Sequence, residues 1–162
     1  IALPLWGKHA DFVGNVRVLR LSSFLAALIP MFWLFSQSPG YLMLVQLVSG
    51  FAWSGVTLSA GNFIYDAVIP QKRVRCIAYF NVINGVALFF GSSLGGYLAS
   101  RLPPFFGYPL LGLFALSCFC RMAFYLLLSR TFREVRAAPE VSIQKLFFSV
   151  VGIRPLVGPA RD

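Results

Sequence analysis

Apolar and polar positions in this sequence fall into long uncharged blocks separated by short basic ones. No charged residue occurs from Leu21 to Tyr65, from Cys76 to Ser100, or from Leu102 to Cys120. A helix needs roughly 20 consecutive apolar residues to cross the hydrocarbon core of a bilayer. The blocks predict four such spans, at about 18–36, 41–65, 76–100 and 108–129. Pro30 falls inside the first, where it can kink a helix. The turn Ser36-Gln37-Ser38-Pro39-Gly40 then leaves room only for an antiparallel hairpin of helices. Pro103-Pro104 and Pro109 break the chain between the third and fourth spans. Further on, Ile143, Leu146, Phe147, Val150 and Val151 recur at helical spacing, with Ser142, Gln144, Lys145 and Ser149 on the other side. Two readings fit that segment: a helix lying in the membrane interface, or a flexible tail.

Composition agrees with the pattern. Of 162 residues, 58% are hydrophobic and 12% charged, whereas a soluble domain carries about 25% charged residues. The fold class is therefore an all-α integral membrane protein, and soluble, disordered and disulfide-framework classes are excluded. Lys and Arg total 14 against 5 Asp and Glu, a net charge of +9. These positives occupy the gaps between apolar blocks: Lys8, Arg17 and Arg20, then Lys72, Arg73 and Arg75, then the tail from Arg130. The turns at 36–40 and 101–108 hold only Arg101. Basic short loops mark the cytoplasmic side of a membrane, so both ends are expected there, in a plasma or bacterial inner membrane. A nucleic-acid partner would need a basic face on a folded surface and is not expected; the lipid bilayer is. The chain opens on Ile, and Ile1 to Trp6 reads as the last turns of an earlier apolar segment. It is expected to be a fragment that lacks its amino-terminal portion.

Candidate chemistry is sparse. His9 is the only histidine and reads as a solvated loop residue, while Cys76, Cys118 and Cys120 read as small apolar packing residues. No cluster of His, Asp, Glu or Cys shares one membrane depth, so no catalytic residue, metal or cofactor is expected, and the chain is not expected to be an enzyme. Asp66 lies near Lys72, Arg73 and Arg75, as either a gate pair that forms and breaks or a static loop pair. Gly91 and Gly95 form a small-xxx-small pair on the third span, flanked by Gly85 and Gly96, which suits close helix packing. Polar side chains within spans usually face a bundle interior or a water-filled cavity. Asn81 and Asn84 share one stripe of the third span, and Gln46 and Trp53 one stripe of the second. Either a solute cavity or interhelical hydrogen bonding accounts for them. Arg121 sits within the fourth span, roughly 13 Å from its end, and must snorkel or pair.

The segment Gly7-Lys8-His9-Ala10-Asp11-Phe12-Val13-Gly14-Asn15-Val16-Arg17 places glycine, aspartate, glycine and arginine in a basic turn between two helices. With four spans behind it, this resembles the conserved loop of the major facilitator superfamily, matched at Gly7, Asp11, Gly14 and Arg17. Phe12 and Val16 depart from the pattern where that family often has basic residues. The stretch from Asn62 to Arg75 resembles the family's connection between helices ten and eleven. The resemblance implies a carboxy-terminal portion, helices nine to twelve, in an MFS-type helical bundle. It divides the chain into the end of a preceding span with its loop (1–17), four helices (18–129) and a basic tail (130–162). The second and third spans would line the central cavity, with Gln46, Trp53, Asn81 and Asn84 as candidates, and the first and fourth would be peripheral. Asp11 would meet a helix end in the absent half. The implied function is transport of a small-molecule solute by alternating access. A small four-helix membrane scaffold that self-associates without transport is the alternative.

Overall fold

The computed structural model describes residues 2–104, 107–108, 110–129, 131 and 142–150. Its helices are α1 (Ala2–Val13), α2 (Asn15–Phe32), α3 (Pro39–Ala67), α4 (Pro70–Arg101), α5 (Leu111–Leu128) and α6 (Ile143–Val150). Helices α2 to α5 are each long and apolar enough to cross a membrane, which makes this an all-α integral membrane protein with four spanning helices. The expected basic tail lies outside the described residues, apart from Thr131 and the stretch 142–150.

Helix ends differ from the block edges for local reasons. Proline suits the first turn of a helix because its fixed φ is helical and its missing N–H has no partner there anyway. Pro39 and Pro70 open α3 and α4 in this way, so α3 starts just ahead of its predicted span and α4 starts well ahead of its uncharged block. At 29 and 32 residues they are about 44 and 48 Å long, against a hydrocarbon core of about 30 Å. Asp66, Lys72, Arg73 and Arg75 thus ride on helical ends rather than in a loop. At its far end α2 stops at Phe32 and tightens into a turn, with Leu34 N–H bonded to Met31 O and Phe35 N–H to Phe32 O.

Helix α2 is the one on which the others pack. α1, α3, α5 and α6 all lean on it, and its buried positions include Val18, Ser22, Ala26 and Ile29. α3 runs antiparallel beside it, with Tyr41 Oη donating to Phe32 O at one end (2.8 Å) and Ser22 facing Gly55 near the middle. Small residues are buried on both helices, Ser22, Ala26 and Ala27 on α2 and Ala52, Gly55 and Ser59 on α3, with Ser22 and Gly55 in direct approach. Lipid gives apolar helices no hydrophobic reason to associate, so such close backbone approach is what holds them together. α5 also runs antiparallel to α2, fixed by Trp33 stacked on Phe114 (4.9 Å) and Phe24 against Tyr125 (5.5 Å). α4 touches α3 and α5 yet buries none of its residues.

At the end where α2 begins, Trp6, Ala10 and Val13 of α1 join Val18 and Leu21 of α2 in a buried cluster. Leu146 and Val150 of α6 complete it, leaving Ile143, Phe147 and Phe148 exposed. The predicted apolar face of that segment therefore divides, part of it docking on protein.

Candidate functional site

The glycine–aspartate motif folds more compactly than a loop. Helix α1 runs through Gly7, Lys8 and Asp11 to Val13, and α2 starts at Asn15, so Gly14 alone makes the elbow. Its φ of 93° and ψ of 153° lie in a region that is essentially glycine's own. Gly7, by contrast, is an ordinary helical residue: a Cβ there would meet only Leu58 Cδ2, at 4.0 Å. Of the two motif glycines, one shapes the turn. Arg17 steadies the elbow by donating from Nη1 to Val13 O at the end of α1 (3.3 Å), where the carbonyls have no helical donor. Asp11 stands exposed. His9 is not the solvated loop histidine expected. It belongs to α1, with Nδ1 2.7 Å from Leu5 O and Nε2 2.9 Å from Ser149 Oγ of α6.

Beside the elbow, Asn15 Nδ2 donates to Asp66 Oδ2 and ties the start of α2 to the end of α3. Asn15 is 5% exposed and its Oδ1 is buried without a hydrogen-bond partner. Among the described residues Asp66 is joined to Asn15 rather than to Lys72, Arg73 or Arg75. Arg73 donates to two carbonyls, Val68 O (3.1 Å) and Tyr65 O (2.9 Å), with its guanidinium over the Tyr65 ring. It thereby caps the carboxyl end of α3 and locks the two-residue connection to α4. Lys72 and Arg75 are exposed.

A second constellation follows from Pro30. Proline has no N–H, so the carbonyl four residues earlier, Ala26 O, loses its helical donor. Arg121 Nη1 of α5 points at that oxygen (3.4 Å), and Cys118 Sγ lies 3.5 Å from the neighbouring Ala27 O. The Arg121 guanidinium also sits over the Trp53 ring, 5.4 Å from its centroid. Pairing with a carbonyl and an indole is thus how the chain accommodates this in-span arginine. Around it, α2, α3 and α5 enclose a groove of about 470 Å³, lined among others by Arg20, Ser23, Trp53, Ser117 and Phe124.

The remaining candidates lie apart. Trp53 is drawn to α5, while Asn81 and Asn84 are exposed on α4 and Gln46 is exposed on α3, so the four do not converge. Nor do the packing glycines meet a neighbour here: nothing lies within 4 Å of a Cβ placed on Gly85, Gly91, Gly95 or Gly96. The close approach is at Gly55, where a Cβ would fall 2.7 Å from Ser22 Cβ and 2.8 Å from Trp6 Cε2. Sequence reasoning missed it, although Gly55-Val-Thr-Leu-Ser59 and Ser22-Ser-Phe-Leu-Ala26 carry the same small-xxx-small spacing as Gly91 and Gly95.

A family model described as Major Facilitator Superfamily matches residues 1–159. The uncharacterized transporter BU588 of Buchnera aphidicola subsp. Acyrthosiphon pisum is 26% identical over 129 residues, which are 80% of this chain and 32% of that protein. The multidrug export protein EmrB of Haemophilus influenzae is 24% identical over 102 residues, 63% of this chain and 20% of that one. An uncharacterized transporter of Buchnera aphidicola subsp. Schizaphis graminum is 23% identical over 129 residues, with 80% and 31% covered. The chain thus spans at most about a third of the length of these relatives. No solved structure matches.

Proposed function

The chain belongs to the major facilitator superfamily, and from that premise we propose that it supplies helices nine to twelve of a secondary transporter, preceded by the end of helix eight. The whole protein moves a small solute by alternating access, with both ends of this chain in the cytoplasm. The observation that carries this reading is the elbow at Gly14, where α1, α2 and α3 are tied by side-chain contacts at one end of the bundle.

In this mechanism the elbow end is the cytoplasmic gate region. Asn15 Oδ1 is buried without a partner, and an unmet buried polar atom costs free energy of about 1–3 kcal/mol. The Asn15–Asp66 contact is therefore easily exchanged. Asp66 leaves Asn15 for a guanidinium or ammonium (Arg73, Arg75 or Lys72) in another transport state. Asp11, exposed beside the elbow, receives a helix end from the other half of the protein. Gln46, Asn81 and Asn84 face the solute path, and Gly91 and Gly95 on the unburied α4 admit a helix of the remaining bundle.

The test is uptake or efflux by the full-length protein, first against a drug panel, since one relative is named a multidrug export protein. Asp11→Asn is expected to reduce transport by at least tenfold while surface expression stays within twofold. Unchanged transport at equal expression removes the gate role. Gly91→Leu is expected to leave the α1–α2–α3 packing intact, because its side chain points into open space in this chain, yet to stop transport. A Gly91→Leu protein that transports normally shows that no helix closes on α4 at that point.

A further inference from the structure

Helix α6 has eight residues, and an isolated helix shorter than about 12–15 residues is marginal in water. It therefore takes its fold from the surface on which it docks. Leu146 and Val150, one turn apart, are 1% and 7% exposed. They close a cluster with Trp6, Ala10 and Val13 of α1 and Val18 and Leu21 of α2. Among the described residues α6 packs against α1 and α2 and against no other helix. Those two helices are the arms of the Gly14 elbow, so α6 bridges the bend.

A polar contact fixes its register. His9 Nε2 lies 2.9 Å from Ser149 Oγ, across 140 residues of chain. The other ring nitrogen, Nδ1, is 2.7 Å from Leu5 O. A carbonyl accepts, so Nδ1 carries the hydrogen, and in the neutral ring Nε2 accepts from the Ser149 hydroxyl. Ser149 follows Leu146 by three residues, at the spacing that places both on one face. The hydrogen bond and the two buried side chains are thus made together when α6 folds and lost together when it unfolds. An element held in this way has two states, a docked helix and a released chain, and opens by local unfolding.

What α6 grips is the start of α2. Val18 sits one turn after Asn15, and Asn15 donates to Asp66 at the end of α3. With no contact between α6 and α3 among the described residues, docking fixes one partner of that hydrogen bond and not the other. We propose that α6 is an autoinhibitory strap on the elbow. Docked, it holds the start of α2 where Asn15 meets Asp66. Released, it lets α2 shift there, and Asp66 exchanges to a cation of α4. This inference rests on the gate proposed above and adds the element that restrains it.

Two experiments on the full-length protein test it. The first is hydrogen exchange, which needs no solute. Amides of 143–150 should exchange at least a hundredfold faster than those of Val18 to Ile29, because the strap opens without the bundle. Leu146→Asp places a charge in the apolar cluster and should bring those amides to the rate of unstructured chain while α2 stays protected. Equal protection of α6 and α2 in the wild type overturns the strap. The second is transport of a compound that the drug panel shows to be moved. Leu146→Asp should raise the initial rate at least threefold, and an unchanged or lower rate overturns the inhibitory role. With Cys76, Cys118 and Cys120 replaced by serine, along with any cysteine outside this stretch, His9→Cys and Ser149→Cys are joined by a short bis-thiosulfonate. The bridged protein should lose transport at least tenfold and recover it when reductant cleaves the bridge. Equal transport before and after cleavage overturns the proposal. Fast exchange in α6 with no compound moved by the wild type overturns the transport reading and the inhibitory role together, and leaves the two-state helix standing.

Discussion

Gly55→Leu is expected to abolish the folded bundle, leaving no monodisperse protein after detergent extraction. A Cβ at this position would lie 2.7 Å from Ser22 Cβ, 2.8 Å from Trp6 Cε2 and 2.9 Å from Trp6 Cδ2. None of these atoms is the far end of a flexible side chain. Ser22 is fixed by its hydroxyl bond to Val18 O (2.8 Å). Trp6 is held by its Nε1–H to Phe51 O (2.9 Å) and by the Phe51 ring. Three helices meet at this point, so relief requires α1 or α2 to move away from α3. A single added methyl in a filled core costs roughly 1–3 kcal/mol, and Gly55→Ala should lower the melting temperature measurably without preventing folding. Leucine adds three further carbons against the same wall. Elution and melting of Gly55→Leu like the wild type would show that α3 does not contact α1 and α2 so closely.

Gly14→Ala is the second large effect, and its contrast with Gly7→Ala makes it diagnostic. At φ 93° and ψ 153° an alanine is strained by about 1–3 kcal/mol, and the elbow has no spare residue over which to spread the change. The loss should appear as a lower melting temperature and as faster proteolysis near the junction of α1 and α2. Gly7→Ala meets only Leu58 Cδ2 at 4.0 Å and replaces a poor helix former with the best one, so stability should hold or rise. If the two substitutions behave alike, the elbow is not where the structure puts it.

The architecture was legible because charge is so costly in hydrocarbon that its absence marks each span. The three uncharged blocks, the first divided by the turn at 36–40, correspond to the four long helices, with ends displaced where prolines at 39 and 70 start helices inside what looked like polar connections. The elbow was harder to read. Gly7 and Gly14 look equivalent in a motif, and only backbone conformation separates the one that turns from the one that does not. For packing, Gly91 with Gly95 and Gly55 with Ser59 both carry the small-xxx-small spacing, and among the described residues Gly55 is the one that meets a neighbour. Composition cannot say which of two qualifying faces meets a neighbour. The groove was invisible for another reason. Pro30 reads as a kink and Arg121 as an arginine that must snorkel or pair, yet their link runs through Ala26 O, a backbone atom whose substitute donor depends on which helix lies alongside. That is tertiary information, and residues 95 apart carry it.

The same separation imposes an order on synthesis. The contacts of α1, α2 and α3 close over short stretches of chain and can form as soon as α3 leaves the ribosome. The seam between α2 and α5 joins residues 91 and 95 positions apart and must wait for α4 and most of α5 to be made. Until then one flank of α2, including the Ala26 carbonyl bared by Pro30, faces lipid or the insertion machinery. Arg121 enters the bilayer with that carbonyl and the Trp53 ring already assembled as its receiver. Helix α5 is thus recruited by a polar defect that α2 carries in.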